Sequence, residues 1–162
     1  MTTVSPIPKD YPRVSPYLHI GGASAAIDFY TKVFGFTERF RMDGPDGKVG
    51  HAELRIGDSV VMLADEFPEM DIKGPSAFGG SPVGLSIFVE DVDDTVKRAV
   101  AAGAKLTSPP EDRFYGDRTA QIEDPFGHIW SIQTHIEDVP ADEMRRRAER
   151  ASASGSTAAQ QS

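Results

Sequence analysis

The sequence predicts an α+β protein built from two βαβββ modules, and three observations carry that prediction. Short alternating strand patterns and two amphipathic helical stretches recur in the same order twice along the chain. A stretch over 65–82 with three prolines and three glycines separates the two sets. In the strands that begin and end each set, one face is apolar and the other mostly polar, so a helix can cover one side of a sheet while the second side is left uncovered.

Residues 1–13 hold three prolines and no apolar periodicity, and read as an extended N-terminal arm. The first module is expected over 14–64. Its first strand is Val14–Ile20, with Leu18 and Ile20 on one face, Ser15, Tyr17 and His19 on the other, and Gly21-Gly22 at its end. From Ala23 the spacing turns helical. Ala23, Ala26, Ile27, Tyr30, Val33 and Phe34 form one stripe, Ser24 is placed to cap the start, and Gly35 stands where a left-handed residue stops a helix. Strands at Phe36–Met42, Val49–Ile56 and Ser59–Ala64 follow, turned by Gly44-Pro45-Asp46-Gly47 and by Gly57-Asp58. In the second of these, Ala52, Leu54 and Ile56 share one face and His51, Glu53 and Arg55 the other.

The connecting loop over 65–82 is long for a compact protein, and such loops are usually functional or mobile. Its Phe67, Met70 and Phe78 either pack the loop down or close the mouth of a cleft. The second module is expected over 83–136: a strand Val83–Val89, then a helix capped by Asp91 or Asp93 with Val96, Ala99 and Val100 inward and Gly103 closing it. A short strand Lys105–Ser108, a loop Pro109–Asp117 and a strand Arg118–Glu123 come next. Asp124-Pro125-Phe126-Gly127 then turns the chain, Pro125 presetting φ and Gly127 supplying a positive one. In the last strand, up to His135, Trp130 and Ile132 face the core, and Ser131, Gln133 and His135 face the other way. A charged helix over 137–151, with Pro140 near its first turn and Met144 as its large apolar residue, reads as a solvated appendage or a lid. Residues 152–162 are small and polar, and disorder is expected there.

Composition narrows the function classes. The 162 residues, 39% hydrophobic, suffice for one ordinary core or two small ones side by side. No run of about 18 apolar residues is present and the first 16 residues lack a charged start with an apolar stretch, so a cytoplasmic protein with no membrane partner is expected. The absence of cysteine excludes disulfides, thiol nucleophiles and thiolate metal sites. A formal charge of -8, with no basic stripe, argues against nucleic acid. Gly21-Gly22 and Gly79-Gly80 lack phosphate-loop spacing, no serine sits in a nucleophile-elbow context, and Arg145-Arg146-Arg147 lies beside glutamates as a solvated helix face.

The polar strand faces hold Ser15, Tyr17, His19, His51, Glu53, Arg55, Gly84, Ser86, Phe88, Ser131, Gln133 and His135. A solvated antiparallel sheet shows such a face too. The mixture of Tyr17 and Phe88 with ionisable His51, Glu53 and Arg55 suits a binding surface.

Several stretches together resemble one family. They are Ala26-Ile27-Asp28-Phe29-Tyr30 with Phe34-Gly35-Phe36, then His51-Ala52-Glu53-Leu54-Arg55-Ile56-Gly57-Asp58, Val89-Glu90-Asp91-Val92-Asp93, Tyr115-Gly116-Asp117-Arg118 and Asp124-Pro125-Phe126-Gly127-His128-Ile129-Trp130. In this order they look like the vicinal oxygen chelate superfamily, the glyoxalase, bleomycin-resistance and extradiol-dioxygenase group, and within it the small bacterial demethylubiquinone-methyltransferase-like branch. The resemblance runs from about Val14 to His135. It implies that the two modules form a curved, mostly antiparallel sheet around a cleft, and that the chain is a homodimer, the commonest closed symmetry.

Enzymes of the superfamily hold a divalent metal with His or Glu ligands from four strands, and those positions fall here on Ser15, Glu53, Gly84 and Ser131. Only Glu53 keeps a usual ligand; glycine donates nothing, and neutral hydroxyls are poor substitutes for imidazole or carboxylate. No metal and no other cofactor is expected, although His19, His51 and His135 share these faces and offer a shifted site. Glu53 has three readings: a carboxylate paired with Arg55 or a histidine, a general base with its pKa lifted by a neighbouring aromatic, or an anchor for a polar or cationic ligand. It is the candidate catalytic residue. The candidate ligand contacts are Tyr17, His19, His51, Arg55, Ser86, Phe88, Phe114, Tyr115, Arg118, Ser131 and Gln133, with Phe114 and Tyr115 either closing the cleft or packing their loop. The expected function is binding of a small, partly aromatic or polar molecule in the cleft without turnover. A metal-dependent isomerase, lyase or dioxygenase is the alternative, and an interaction protein with a filled cleft is a third reading.

Overall fold

The computed structural model describes residues 4–154. The chain divides into two compact units: one runs up to Pro82 and includes 125–128, the other takes 83–124 and continues from Ile129. Each unit is a βαβββ module with a four-stranded mixed sheet, so the predicted α+β fold of two modules is what forms.

In the first unit the elements are β1 (Tyr17–Ile20), α1 (Ala23–Phe34), β2 (Thr37–Asp43), β3 (Val49–Ile56) and β4 (Ser59–Asp65), in the sheet order β1-β4-β3-β2. Only β1 with β4 is parallel; the other two pairs are antiparallel. Strand β1 starts three residues later than expected. Pro16 has no N–H to donate, and it joins the ladder only through its carbonyl, which accepts from Met62. The stripe of α1 is fully buried against the sheet, where Ile20, Ala52, Leu54 and Leu63 are also inaccessible, and Phe29 is buried with them.

The start of α1 departs from expectation. Gly22, at φ 93, is the N-cap, and Ser24 makes no cap bond. The carboxylate of Asp65, at the end of β4, accepts from the N–H groups of Gly22 (3.1 Å) and Ala23 (3.0 Å) and, through its second oxygen, from Val49 (2.7 Å). A buried charge at the positive end of the helix thus replaces the local serine cap and ties together three segments distant in sequence. At the other end Gly35, at φ 81, closes the helix as expected. The Asp-Pro-Phe-Gly turn belongs to this unit. Phe126 packs edge-on to Phe29 and Tyr30, and Gly127 has φ 92, with Pro75 so near that an added Cβ would lie 2.8 Å from it. The loop over 65–82 contains two short 3-10 turns, Pro68–Met70 and Pro75–Phe78.

The second unit comprises β5 (Gly84–Phe88), α2 (Val92–Ala101), β6 (Lys105–Asp112), β7 (Asp117–Glu123), β8 (Ile129–His135) and α3 (Ala141–Ala153), with sheet order β5-β8-β7-β6. Asp91 caps α2 by accepting from the N–H of Asp94 (3.0 Å), and Gly103 follows at φ 101. Strand β6 runs through Pro109 and Pro110, where a loop was expected. It is an edge strand, and its register slips between Ser108 and Glu111, so the two residues without N–H fall where no ladder bond is needed. Trp130 is core, as its parity predicted, and its indole donates to buried Asp124 at 2.9 Å. Helix α3 includes Ser152 and Ala153, past the expected start of the disordered tail; residues 155–162 lie outside the described residues. Among the described residues no helix is long and apolar enough to cross a membrane.

Candidate functional site

The sheet face of the first unit that points away from α1 carries the strongest chemistry. Register sets Tyr17 beside Met62, Met62 beside Glu53 and Glu53 beside Phe40, one row across all four strands; His51 pairs with Met42 in a neighbouring row. Five of the predicted residues, Tyr17, His19, His51, Glu53 and Arg55, therefore share this face, together with the exposed apolar side chains of Phe40 and Met42.

Glu53 is only 6% exposed. The hydroxyl of Tyr11 donates to its carboxylate (2.9 Å to Oε2, 3.2 Å to Oε1), Nε2 of His51 lies 3.2 Å from Oε1, and Nε of Arg39 is 3.8 Å from Oε2. The other nitrogen of His51, Nδ1, is 2.8 Å from the hydroxyl of Tyr17. One proton arrangement satisfies the whole chain: Tyr17 donates to Nδ1, Nε2–H donates to Glu53, and Tyr11 donates to Glu53 from the far side. The hydrogen bond to Glu53, followed by burial, holds the phenol of Tyr11 above its ordinary pKa, and burial raises that of Tyr17.

Arg55 does not pair with Glu53, contrary to one expectation. It reaches the carbonyl of Asp10 through Nη2 (3.4 Å), as Arg39 does through Nη1 (2.9 Å). The guanidinium of Arg39 also lies over the ring of Tyr11, 4.1 Å from its centroid. The ring of His19 lies 5.3 Å from that of Tyr17, tilted by 37°, and its Nδ1, with Ser15 Oγ and Arg55 Nε, is a buried atom with no hydrogen-bond partner among the described residues. Strand and helix periodicity points to neither Tyr11 nor Arg39. Tyr11 sits in a stretch without periodicity, and the register shift between Glu38 and Phe40 takes Arg39 out of simple alternation; the one available signal was an aromatic between two prolines beside charged residues.

In the second unit the face with Ser86, Ser131 and Gln133 is neutral, and one side-chain hydrogen bond joins two of the three. Ser86 opposes Ser131, and the amide of Gln133 donates to the hydroxyl of Ser86. Phe88 is exposed beside Gln133. Arg118 is committed elsewhere: its guanidinium holds Asp93 (2.6 and 3.0 Å) and Asp112 (2.8 Å), which lowers the pKa of Asp93. Phe114 and Tyr115 meet edge to face at 5.3 Å, and the main-chain carbonyl of Phe114 accepts from Arg147 of α3. His135 lies between Asp117 (2.7 Å) and Asp138 (2.9 Å), which raise its pKa.

A family model described as the Glyoxalase/Bleomycin resistance protein/Dioxygenase superfamily matches residues 18–132. The chain belongs to that superfamily. An uncharacterized protein of Mycobacterium tuberculosis (strain H37Rv) is 43% identical over 83% of this chain and 81% of its own length. Among solved structures, TioX from Micromonospora sp. ML1 superposes with a TM-score of 0.58 at 27% identity, covering 77% of this chain and 99% of its own. A putative 3-demethylubiquinone-9 3-methyltransferase, the PhnB protein of Bacillus cereus, has a TM-score of 0.58 at 16% identity over 76% and 99%, a likeness of fold alone.

The donors at the superfamily's metal positions do not fit a dication. In the first unit they are the neutral hydroxyl of Ser15 and a Glu53 already held by Tyr11 and His51; in the second they are Gly84, with no side chain, and the hydroxyl of Ser131. Both ring nitrogens of His51 and of His135 are engaged, and among the described residues no group of three or more His, Asp or Glu is arranged to hold a metal ion.

Proposed function

We propose that this superfamily member binds a small, polar and partly aromatic molecule on the Glu53 face of its first sheet, and holds it without a metal and without turnover. One observation carries the reading: a nearly inaccessible carboxylate sits in a continuous hydrogen-bonded chain, Tyr17, His51, Glu53, Tyr11, beside exposed Phe40 and Met42. Desolvating a carboxylate costs several kcal/mol, and the apolar core that stabilises this sheet lies on its opposite face. A charge kept at that cost next to uncovered apolar side chains is the pattern of a recognition surface.

The test is a thermal-shift screen of metabolites and antibiotics against wild type and Glu53→Ala. A ligand donor that loses its buried charged acceptor should lose roughly 2–5 kcal/mol, so stabilisation should vanish in the variant. Equal stabilisation of both proteins would refute the placement.

A second reading has its own observation in the order hydroxyl, imidazole, carboxylate from Tyr17 through His51 to Glu53. A bound acid could pass a proton to the Tyr17 oxygen while Tyr17 protonates Nδ1 and Nε2–H passes to Glu53, leaving a neutral imidazole and a carboxylic acid. NMR in deuterated water decides: exchange of a ligand C–H that needs His51 makes the protein a proton-transfer enzyme, and no exchange leaves it a binder.

A further inference from the structure

We infer that the Asp10–Tyr11 segment occupies the place of the ligand, and that the ligand is a neutral phenol bearing an amide or similar carbonyl oxygen a short spacer away. The inference rests on the Glu53 face being the binding surface, and it names what binds there and what competes with it.

The segment makes three complementary contacts. A phenol O–H donates to a carboxylate that can only accept, an aromatic ring lies under a guanidinium, and a carbonyl oxygen receives two guanidinium groups that can only donate. Donor, ring and acceptor belong to one short fragment of the chain, the phenol of Tyr11 and the amide carbonyl preceding it. Charge narrows the class further. An anion at the position of the phenol would meet Glu53, and a cation would have to displace Arg39, already 3.8 Å from that carboxylate and stacked on the ring.

Little else keeps this fragment in place. Residues 4–10 and 13 are exposed, residues 4–13 form no strand or helix, and the hydrogen bonds of this stretch to the sheet among the described residues come from the Asp10 carbonyl and the Tyr11 hydroxyl. By contrast His51, Glu53 and Arg55 are fixed by β3, paired on both sides. A weakly tethered strap over a rigid, charged surface is a competitor that a free molecule of the same chemistry can displace. Intramolecular occupancy lowers apparent affinity by the fraction of molecules left open, so an arm docked about nine-tenths of the time weakens binding about tenfold.

N-acetyltyramine reproduces the fragment, and N-acetylphenethylamine lacks only its hydroxyl. Titration calorimetry should show N-acetyltyramine binding Tyr11→Ala about tenfold tighter than wild type, and binding that variant at least about tenfold tighter than N-acetylphenethylamine does, because a hydrogen bond to a buried charge is lost. In wild type, saturating N-acetyltyramine should speed tryptic cleavage after Lys9 and Arg13 by releasing the arm, a readout that needs no variant. Equal affinity for wild type and Tyr11→Ala, or an unchanged cleavage rate with the compound bound, overturns the strap. No binding to either protein overturns the ligand class. In those cases a panel compound whose stabilisation depends on Glu53 still upholds the binding surface; N-acetyltyramine bound equally by wild type and Glu53→Ala removes both.

Discussion

Two buried carboxylates in the same unit, Glu53 at 6% and Asp65 at 8% exposure, should respond in opposite ways to replacement by an apolar residue. Asp65 accepts from three backbone N–H groups, those of Gly22, Ala23 and Val49, and Ala23 and Val49 are fully buried. The donors of Ala23 and Val49 cannot reach water when the carboxylate is gone. Each charge-assisted bond is worth about 1.5–3 kcal/mol and the three are not additive, so Asp65→Ala should cost about 3–5 kcal/mol. Glu53 is different, because its partners are the side chains of Tyr11, His51 and Arg39, all partly exposed and free to turn to solvent. Glu53→Met keeps the volume, releases those donors to water and removes a desolvation penalty of several kcal/mol. The expected result is a protein within about 1 kcal/mol of wild type or more stable, with ligand stabilisation lost, as when an ion kept for function is replaced. Urea unfolding followed by circular dichroism and by the fluorescence of the single tryptophan, Trp130, measures both variants. A loss of 3 kcal/mol or more for Glu53→Met at unchanged m would make Glu53 a structural residue and refute the reasoning behind the proposed function.

Three further outcomes are expected. His135, whose folded pKa is raised by its hydrogen bonds to Asp117 and Asp138, contributes stability that is fully present below its unfolded value near 6.5 and is lost as pH rises through the folded one; the Tm difference between wild type and His135→Gln should therefore be present at pH 6 and gone at pH 9. Gly116 has φ 97, and a Cβ there would stand 2.1 Å from the carbonyl oxygen of Glu137, so Gly116→Ala should lose about 2–4 kcal/mol in urea titration; a loss under 1 kcal/mol would mean that the 137–139 segment is free to move aside. The proposed homodimer is checked by light scattering at micromolar concentration, which should return twice the chain mass of 17.6 kDa; a monomer removes that proposal.

Local chemistry along the chain is enough to specify the elements and their sidedness. Period-two alternation made Trp130 and Ile132 core and His51, Glu53 and Arg55 a polar row, and local backbone chemistry announced Gly35 and the Asp-Pro-Phe-Gly turn, because these are properties of neighbouring residues in one chain. The repeat of those elements was enough for the fold, and its motifs for the superfamily. Tertiary structure alone decided who partners whom. It supplied Asp65 in place of Ser24 as the cap of α1, carried β6 through Pro109 and Pro110 because that strand is an edge, sent Arg55 to Asp10, and brought Tyr11 to Glu53 across 42 positions of sequence. Alternation tells which face a side chain takes. Which distant group arrives to satisfy a buried charge depends on where the chain folds back, and the hydrogen-bonding requirement of Glu53 and Asp65 becomes visible only once burial has removed water as their partner.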